Sequence, residues 1–181
     1  MIKYIVRDIL SAFHYLPFGM FAGILMAFAV SAVNDWRVKK GKKTISVAAV
    51  TCFAIYMAIL LVITLFSRES GSSTNGIDLQ LLSTWGINQR NNALVIENIL
   101  LFIPYGCTMA WAIPATRMFH RNLFCGLMTS LLVEVVQLVT GRGFFQLDDI
   151  ITNVMGQIIG FCLFTLVYAL GRGVRKLFTK R

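Results

Sequence analysis

Residues 130–153 read SLLVEVVQLVTGRGFFQLDDIITN, and the pattern of this stretch decides the predicted fold. An apolar run that contains Glu134 and Gln137 breaks at the glycines flanking Arg142, and a second apolar run begins with Asp148 and Asp149. Ionisable groups at the edge of lipid-length hydrophobic segments are costly, and they are usually retained because they pair or act chemically. The stretch therefore predicts two membrane helices joined by a short turn, with a polar site at one membrane face.

The composition places the whole chain in a membrane. Of its 181 residues, 57% are hydrophobic and 14% are charged, whereas about a quarter of the residues of a soluble domain are charged. A single soluble core of this size could not bury that much apolar surface. We predict one all-α, polytopic membrane helix bundle with five transmembrane helices. The predicted spans cover residues 15–33, 45–66, 94–113, 123–140 and 150–170.

Two segments outside these spans are predicted to lie at the membrane surface. Residues 1–14 form an amphipathic pattern, and are interpreted as an interfacial segment or as the beginning of span one. The loop between spans two and three contains a Gly, Ser and Asn cluster, and its apolar second half is predicted to lie back on the membrane. Residues 15–170 are predicted to form a single transmembrane domain, and residues 171–181 a basic cytoplasmic tail.

Charge placement predicts the orientation. The formal net charge is +9, and the Lys and Arg residues lie between apolar runs and at the C-terminus, without aromatic interleaving. With the C-terminus in the cytoplasm, twelve basic residues fall on cytoplasmic segments and five on the opposite face, so the positive-inside rule predicts an N-out, C-in topology. The basic residues are interpreted as topology determinants and contacts to anionic lipids, and no nucleic-acid partner is predicted.

The cysteines and histidines carry no signal for a metal site or a disulfide framework. The four cysteines lie inside apolar runs without a CxxC pair, so they are predicted to be small packing residues. No phosphate-binding loop, nucleophile–histidine pair or histidine-rich motif occurs. We therefore assign no catalytic residue, no dedicated metal ligand and no cofactor.

Spacing on spans four and five places polar residues and glycines on single helical stripes. Residues 126, 130, 134, 137 and 141 are separated by three or four positions, as are residues 149, 153, 156 and 160. The two helices are antiparallel neighbours, so their polar parts are expected to meet, and the GxxxG pair of span five is expected to approach span four closely. The predicted packing residues are Gly126, Gly156 and Gly160.

Under the predicted orientation, the polar groups of three helices converge in the outer leaflet. Arg142 is the nearby basic residue in the turn, and the acids exceed it by about three charges if all of them ionise. We expect the side chains to gather around Arg142, with one acid protonated or bound to a cation. The predicted polar pocket comprises Glu97, Asn98, Ser130, Glu134, Gln137, Arg142, Asp148, Asp149 and Asn153.

Each of these residues, taken singly, also has a structural explanation. Asp148 and Asp149 suit the N-terminal turn of a helix, where the macrodipole favours a negative charge. Ser, Gln and Asn often join helices to one another in lipid. A polar core built only for packing does not require an excess of acids, so the whole set favours a binding site.

The same residues carry a resemblance to a known family. The motifs NILLFIPYG (98–106), SxxxExxQ (130–137), GR (141–142) and DDIxxNxxG (148–156) resemble the signature of the VanZ-like membrane proteins. A further serine–arginine pair of relatives is matched more loosely by residues 67–68. The family is named for a factor associated with resistance to the glycopeptide teicoplanin. The resemblance implies a multi-pass protein of the bacterial plasma membrane, tied to glycopeptide or lipopeptide resistance, without an established reaction.

Two functions from different classes remain open. In the first, the outward-facing pocket binds membrane lipid, a lipid-linked wall precursor or a lipoglycopeptide antibiotic. In the second, the chain is an enzyme acting on a lipid-linked substrate, with carboxylate and amide oxygens holding a divalent cation or with a buried Glu134 as general acid. Binding is favoured because no nucleophile lies beside a histidine. Coupled transport is disfavoured because the polar groups are confined to one leaflet.

Overall fold

The computed structural model describes residues 1–66 and 76–178, with side chains described to residue 173. Helices account for most of it, and two short strands occur. The helices are α1 (Ile2–Ala12), α2 (Leu16–Lys39), α3 (Val47–Leu61), α4 (Gln89–Ala112), α5 (Phe119–Val139) and α6 (Leu147–Phe178), and the strands are β1 (Ile77–Asp78) and β2 (Phe145–Gln146). Short 3-10 turns cover Phe13–Tyr15 and Pro114–Arg117, and a π-helical turn, Val62–Phe66, continues α3.

The predicted all-α, five-span architecture is confirmed. Within the described part of the chain, five helical segments are long and apolar enough to cross a membrane. They are Ile2–Lys39, Val47–Phe66, Gln89–Ala112, Phe119–Val139 and Leu147–Gly173. Most large apolar side chains of α2 are exposed, as expected for a helix whose surface faces lipid.

The N-terminal helix α1 lies against the beginning of α4. Asp8 on α1 pairs with Arg90 at 2.5 Å, and the Met1 amino group donates to Gln89 Oε1 at 2.9 Å. A single 3-10 turn joins α1 to α2, so the two helices continue one another with little interruption. Placement of residues 1–14 in the membrane interface stays a prediction.

Glycines bring α4 and α6 into backbone contact. A Cβ atom added at Gly156 would overlap the carbonyl oxygen of Ile99, and one added at Gly160 would overlap that of Ile103. Gly106 on α4 lies equally close to the carbonyl oxygen of Gln157. Small residues permit such an approach where no hydrophobic force between helices is available in lipid.

The predicted partner of the GxxxG pair was wrong, because these glycines face α4 and not α5. Residues 153 and 157 are four positions apart and lie in one row, and this row faces α5. Residue 156 is three positions from 153, which rotates it by about 60° to the other side of that row. The polar row and the glycine row of α6 therefore contact two different helices.

Two loops are joined where the short strands meet. Ile77 pairs with Phe145 and Asp78 with Gln146 in a parallel register, and the Phe145 amide donates to the Gly76 carbonyl at 3.0 Å. Neither strand was predicted, since two residues carry too little pattern to recognise. The pairing places the loop before α4 beside the turn before α6.

Candidate functional site

We call the end of the bundle at which α3 and α5 finish and α4 and α6 begin the polar end. Ser130 on α5 and Asn153 on α6 form its deepest contact, with the Asn153 amide donating to the Ser130 hydroxyl at 3.0 Å. About two turns closer to the end of α5, Gln137 Nε2 donates to the Thr64 carbonyl at 2.9 Å. The polar end thus draws side chains or backbone from α5, α6 and the π-helical turn.

Among the described residues, two amide oxygens at the polar end are buried without a hydrogen bond. Gln137 Oε1 and Asn153 Oδ1 have no partner among the described residues. Gln137 is 2% exposed, and Asn153 is 4% exposed. A buried polar atom without a hydrogen bond typically lowers the stability of a protein by about 1–3 kcal/mol, because the atom has lost its contact with water. Such atoms indicate that packing alone does not account for these amides.

The π-helical turn makes the Thr64 carbonyl available to Gln137. Thr64 is buried, and its hydroxyl donates back to the Leu60 carbonyl at 2.9 Å. π-Helical turns are frequent at functional sites. Gln137 supplies the donor and thereby fixes α5 to the end of α3.

Glu134 is almost completely buried, with 1% of its surface exposed. Its Oε2 accepts the Gln146 backbone N–H at 3.0 Å. The carboxylate therefore holds the strand β2, twelve residues later in the chain, against α5. This contact positions the turn that contains Arg142.

Asp148 fixes the loop that precedes α4. Its two carboxylate oxygens accept the backbone N–H groups of Leu82 at 2.7 Å and Thr84 at 3.0 Å, with the Ser83 hydroxyl at 3.4 Å. Leu82 has φ +60°, a conformation that a leucine adopts only when its surroundings stabilise it. The buried carboxylate provides that stabilisation, so Asp148 acts through the loop backbone.

Asp78 closes the same loop from its other side. It accepts the Gln80 backbone N–H at 2.9 Å and the Ser83 hydroxyl at 2.7 Å. These two hydrogen bonds hold the pKa of the Asp78 carboxyl below its usual range. The exposed apolar side chains of the loop project away from the bundle, as its predicted contact with the membrane surface requires, and they are Ile77, Leu79, Leu81, Leu82, Trp85 and Ile87.

Among the described residues, Arg142 does not form the predicted ion pairs with the acids. Within the described part of the chain it forms no ion pair, and its guanidinium lies 5.6 Å from the centre of the Phe66 ring. Its Nε is buried and has no described partner. The reason is that Asp148 is saturated by loop amides and that Glu97 contacts a different arginine.

Glu97 and Asn98 have other described contacts than Gln137 does. Arg90 bridges the carboxylates of Asp8 and Glu97 at 2.5 and 3.3 Å, which places this ion pair between α1 and α4. Glu97 and Asn98 also line a groove of about 360 Å³ between α1, α3 and α4, which we call the lateral groove. Thr64 lines the same groove, so the predicted single pocket is two neighbouring sites that meet at this residue.

A buried amide pair was missed by the sequence analysis. Gln157 on α6 donates to Asn122 Oδ1 on α5 at 2.7 Å, and both residues are fully buried. Gly126 leaves the space that the Gln157 side chain occupies, so it accommodates a side chain and not a helix backbone. The sequence spacing does contain this pair. Asn122 lies four positions before Gly126, and Gln157 lies four positions after Asn153, so each residue continues a helical stripe.

The remaining predicted residues are placed as follows. Asp149 is half-buried in the first turn of α6, and its carbonyl accepts the Thr152 hydroxyl at 3.1 Å. Residues 67–68 lie outside the described residues. In the parts of the chain that are described, no three His, Cys, Asp or Glu side chains are grouped to hold a metal ion.

The chain has relatives among known proteins. A family model described as VanZ/LLP1 matches residues 53–168. Protein VanZ from Enterococcus faecium is 25% identical over 124 residues, which are 62% of this chain and 71% of that protein. No solved structure matches the chain. The matched region contains every residue of the polar end, whereas α1 and α2 precede it.

Proposed function

Because this chain belongs to the VanZ/LLP1 family of membrane proteins linked to glycopeptide resistance, we propose that it binds an amphiphile at its polar end. The bound molecule is a membrane lipid, a lipid-linked wall precursor or a lipoglycopeptide antibiotic. These three share an apolar chain and a polar head group rich in hydrogen-bond donors. The protein acts in the bacterial plasma membrane, and binding changes access of the antibiotic to the membrane surface.

The buried amides carry this proposal. Gln137 and Asn153 belong to different helices, and each presents an acceptor oxygen without a described partner. A ligand that donates hydrogen bonds to both oxygens would recover the free energy that their burial costs. Gln157 Oε1 also lacks a described partner, so the position of Gln137 and Asn153 together at the polar end, and not an unpartnered acceptor alone, supports a ligand there.

The lateral groove supplies the apolar part of the site. Its walls include Ile9, Ile59 and Leu100, and it reaches the Thr64 residue that Gln137 contacts. Pockets for small amphiphiles combine such a wall with a few placed polar groups. An acyl chain could therefore lie between α1, α3 and α4, with its head group at the polar end beside Thr64 and Gln137.

Binding without reaction fits the described contacts better than catalysis. The enzymatic alternative assigns Glu134 the role of general acid, whereas the described contact of its Oε2 with the Gln146 amide holds β2 against α5 and is structural. A general acid must present its proton to the substrate within hydrogen-bonding distance. We therefore retain the non-enzymatic function, with the polar end at the outer leaflet as the charge distribution predicts.

Replacing Gln137 with methionine is expected to abolish protection against teicoplanin. The change keeps the side-chain length but removes both the donor to Thr64 and the unpartnered acceptor. Expressed in a susceptible bacterium, the wild-type chain should raise the inhibitory concentration, and Gln137→Met should return it to the empty-vector value. Susceptibility is compared at matched protein levels, measured on membranes by immunoblot.

Gln80→Met provides the matched control, because Gln80 is an exposed loop residue that undergoes the same chemical change. It should protect as well as the wild-type chain. Full protection by Gln137→Met would contradict the proposal, and equal loss in both variants would show that methionine itself disturbs the protein.

A further inference from the structure

A second groove lies at the opposite end of the bundle, between α4 and α6. It has a volume of about 470 Å³ and is lined by Cys107, Trp111, Phe164, Val167, Tyr168 and Gly171, with Arg172 at its rim. We call it the basic groove. Apart from Arg172 its walls are uncharged, and Val167 and Tyr168 are exposed to the surrounding membrane. An acyl chain could enter it from the lipid side without crossing a polar barrier.

Two guanidinium groups flank one aromatic ring at the end of this groove. Arg117 lies 5.1 Å from the centre of the Tyr168 ring, and Arg172 lies 5.9 Å from the same centre. Arg117 Nε also donates to the Ala110 carbonyl at 3.2 Å, which fixes the guanidinium beside the end of α4. Both cations therefore lie within 5.9 Å of the centre of one ring, where an anion would reduce the repulsion between their charges.

No described acid neutralises these arginines. The ion pairs of the described residues involve Arg7 and Arg90 with Asp8 and Glu97, all at the other end of the bundle. Guanidinium groups bind phosphate through paired N–H donors, and they are less strongly hydrated than ammonium groups. Trp111 and Tyr168 have the amphipathic rings that favour the level of lipid head groups.

We propose that the basic groove binds one anionic phospholipid, with an acyl chain between α4 and α6 and the phosphate between Arg117 and Arg172. The site is distinct from the polar end and does not depend on the function proposed there. A free phosphate ion shares the head-group chemistry, but it would leave the apolar walls of the groove exposed. The combination of groove and arginines selects the lipid.

Quenching of Trp111 fluorescence tests this site. In the full-length variant Trp36→Phe/Trp85→Phe, Trp111 is the remaining tryptophan, and it lines the groove. The protein is reconstituted in phosphatidylcholine vesicles that contain, at one molar fraction, either phosphatidylglycerol or phosphatidylcholine with brominated acyl chains. We expect brominated phosphatidylglycerol to quench Trp111 at a lower concentration than brominated phosphatidylcholine does. Each arginine should contribute a preference of about fivefold for the anionic lipid.

Substitutions distinguish a specific lipid-binding site from a general effect of surface charge. Arg117→Gln and Arg172→Gln should each remove about fivefold of the preference. Arg121→Gln, in the first turn of α5 and lining a different groove, should leave it unchanged. Gly171→Leu should also remove the preference, because a Cβ atom there meets no other atom and the side chain would fill the groove. Melting temperatures of all variants establish that the fold is retained.

Three results would overturn the proposal. Equal quenching by the anionic and neutral brominated lipids would show that no anionic lipid is selected. An equal loss of the preference for the anionic lipid in Arg121→Gln and Arg117→Gln would show that the preference arises from the surface potential. Displacement of the brominated lipid by inorganic phosphate alone would assign the arginines to a free anion.

Discussion

Replacing Gly160 with alanine is expected to lower the free energy of unfolding by about 3 kcal/mol, at the upper end of the range for overpacked sites. The added methyl group would overlap the Ile103 carbonyl oxygen and lie 3.0 Å from the Cys107 backbone nitrogen. These are backbone atoms, so α4 and α6 must separate to admit it. The measurement is reversible unfolding in detergent or bicelles, followed by circular dichroism.

Gly171→Ala is the control for this experiment, because it makes the same change in the same helix where no atom lies within 4 Å. Alanine is favoured over glycine in a helix by about 1 kcal/mol, so this variant should be equally or more stable than the wild-type chain. Equal stability of Gly160→Ala and the wild-type chain would contradict the backbone contact between α4 and α6.

Replacing Asp148 with alanine is expected to release the loop before α4. The carboxylate accepts two backbone N–H groups and one hydroxyl, and hydrogen bonds to a charged group contribute about 1.5–3 kcal/mol each. Loss of about 3 kcal/mol of local stability would accelerate exchange of the Leu82 and Thr84 amides by about 100-fold. Hydrogen–deuterium exchange with mass spectrometry on the loop peptide measures this directly.

Asp35→Ala serves as the control, since Asp35 is an exposed acid near the end of α2. It removes the same charge and should leave exchange of the loop unchanged. Slow exchange of Leu82 and Thr84 in Asp148→Ala would show that the loop is held by contacts other than this carboxylate.

The fold could be predicted from the sequence because lipid imposes a simple rule on it. Each span must satisfy its backbone hydrogen bonds internally and must be apolar over a sufficient length, and both requirements are visible in the residues. The break around Arg142 marked the turn between α5 and α6. The same reasoning placed Ser130, Glu134, Gln137 and Asn153 at one end of two neighbouring helices.

The contacts between helices could not be read from the spacing of residues. Residues 153, 156 and 160 approximate one stripe on a sequence plot, yet in the bundle they lie in two rows that face α5 and α4. The two rows are separated by a rotation of about 60° around the axis of α6. The separation matters because a third helix, α4, packs against one of the rows.

The pairing of the acids was also unpredictable. Asp148 and Glu134 contact backbone N–H groups of distant loops, and loop backbone leaves no trace in a pattern of side chains. Arg90 and Glu97 lie seven positions apart on α4, and the contact of Arg90 with Asp8 depends on α1 approaching α4. Arg142 was consequently assigned ion pairs that the described residues do not form.

Equilibrium binding to the purified full-length chain in nanodiscs tests the central claim, that the buried amides of the polar end bind an amphiphile. The probes are teicoplanin, a lipid-linked wall precursor and phosphatidylethanolamine, each titrated against the wild-type chain, Gln137→Met and Gln80→Met. We expect saturable binding of at least one probe, weakened about tenfold or more by Gln137→Met, the loss of one hydrogen bond or more, and unchanged by Gln80→Met. Failure of all three probes to saturate, or equal affinity of the wild-type chain and Gln137→Met, would contradict the account.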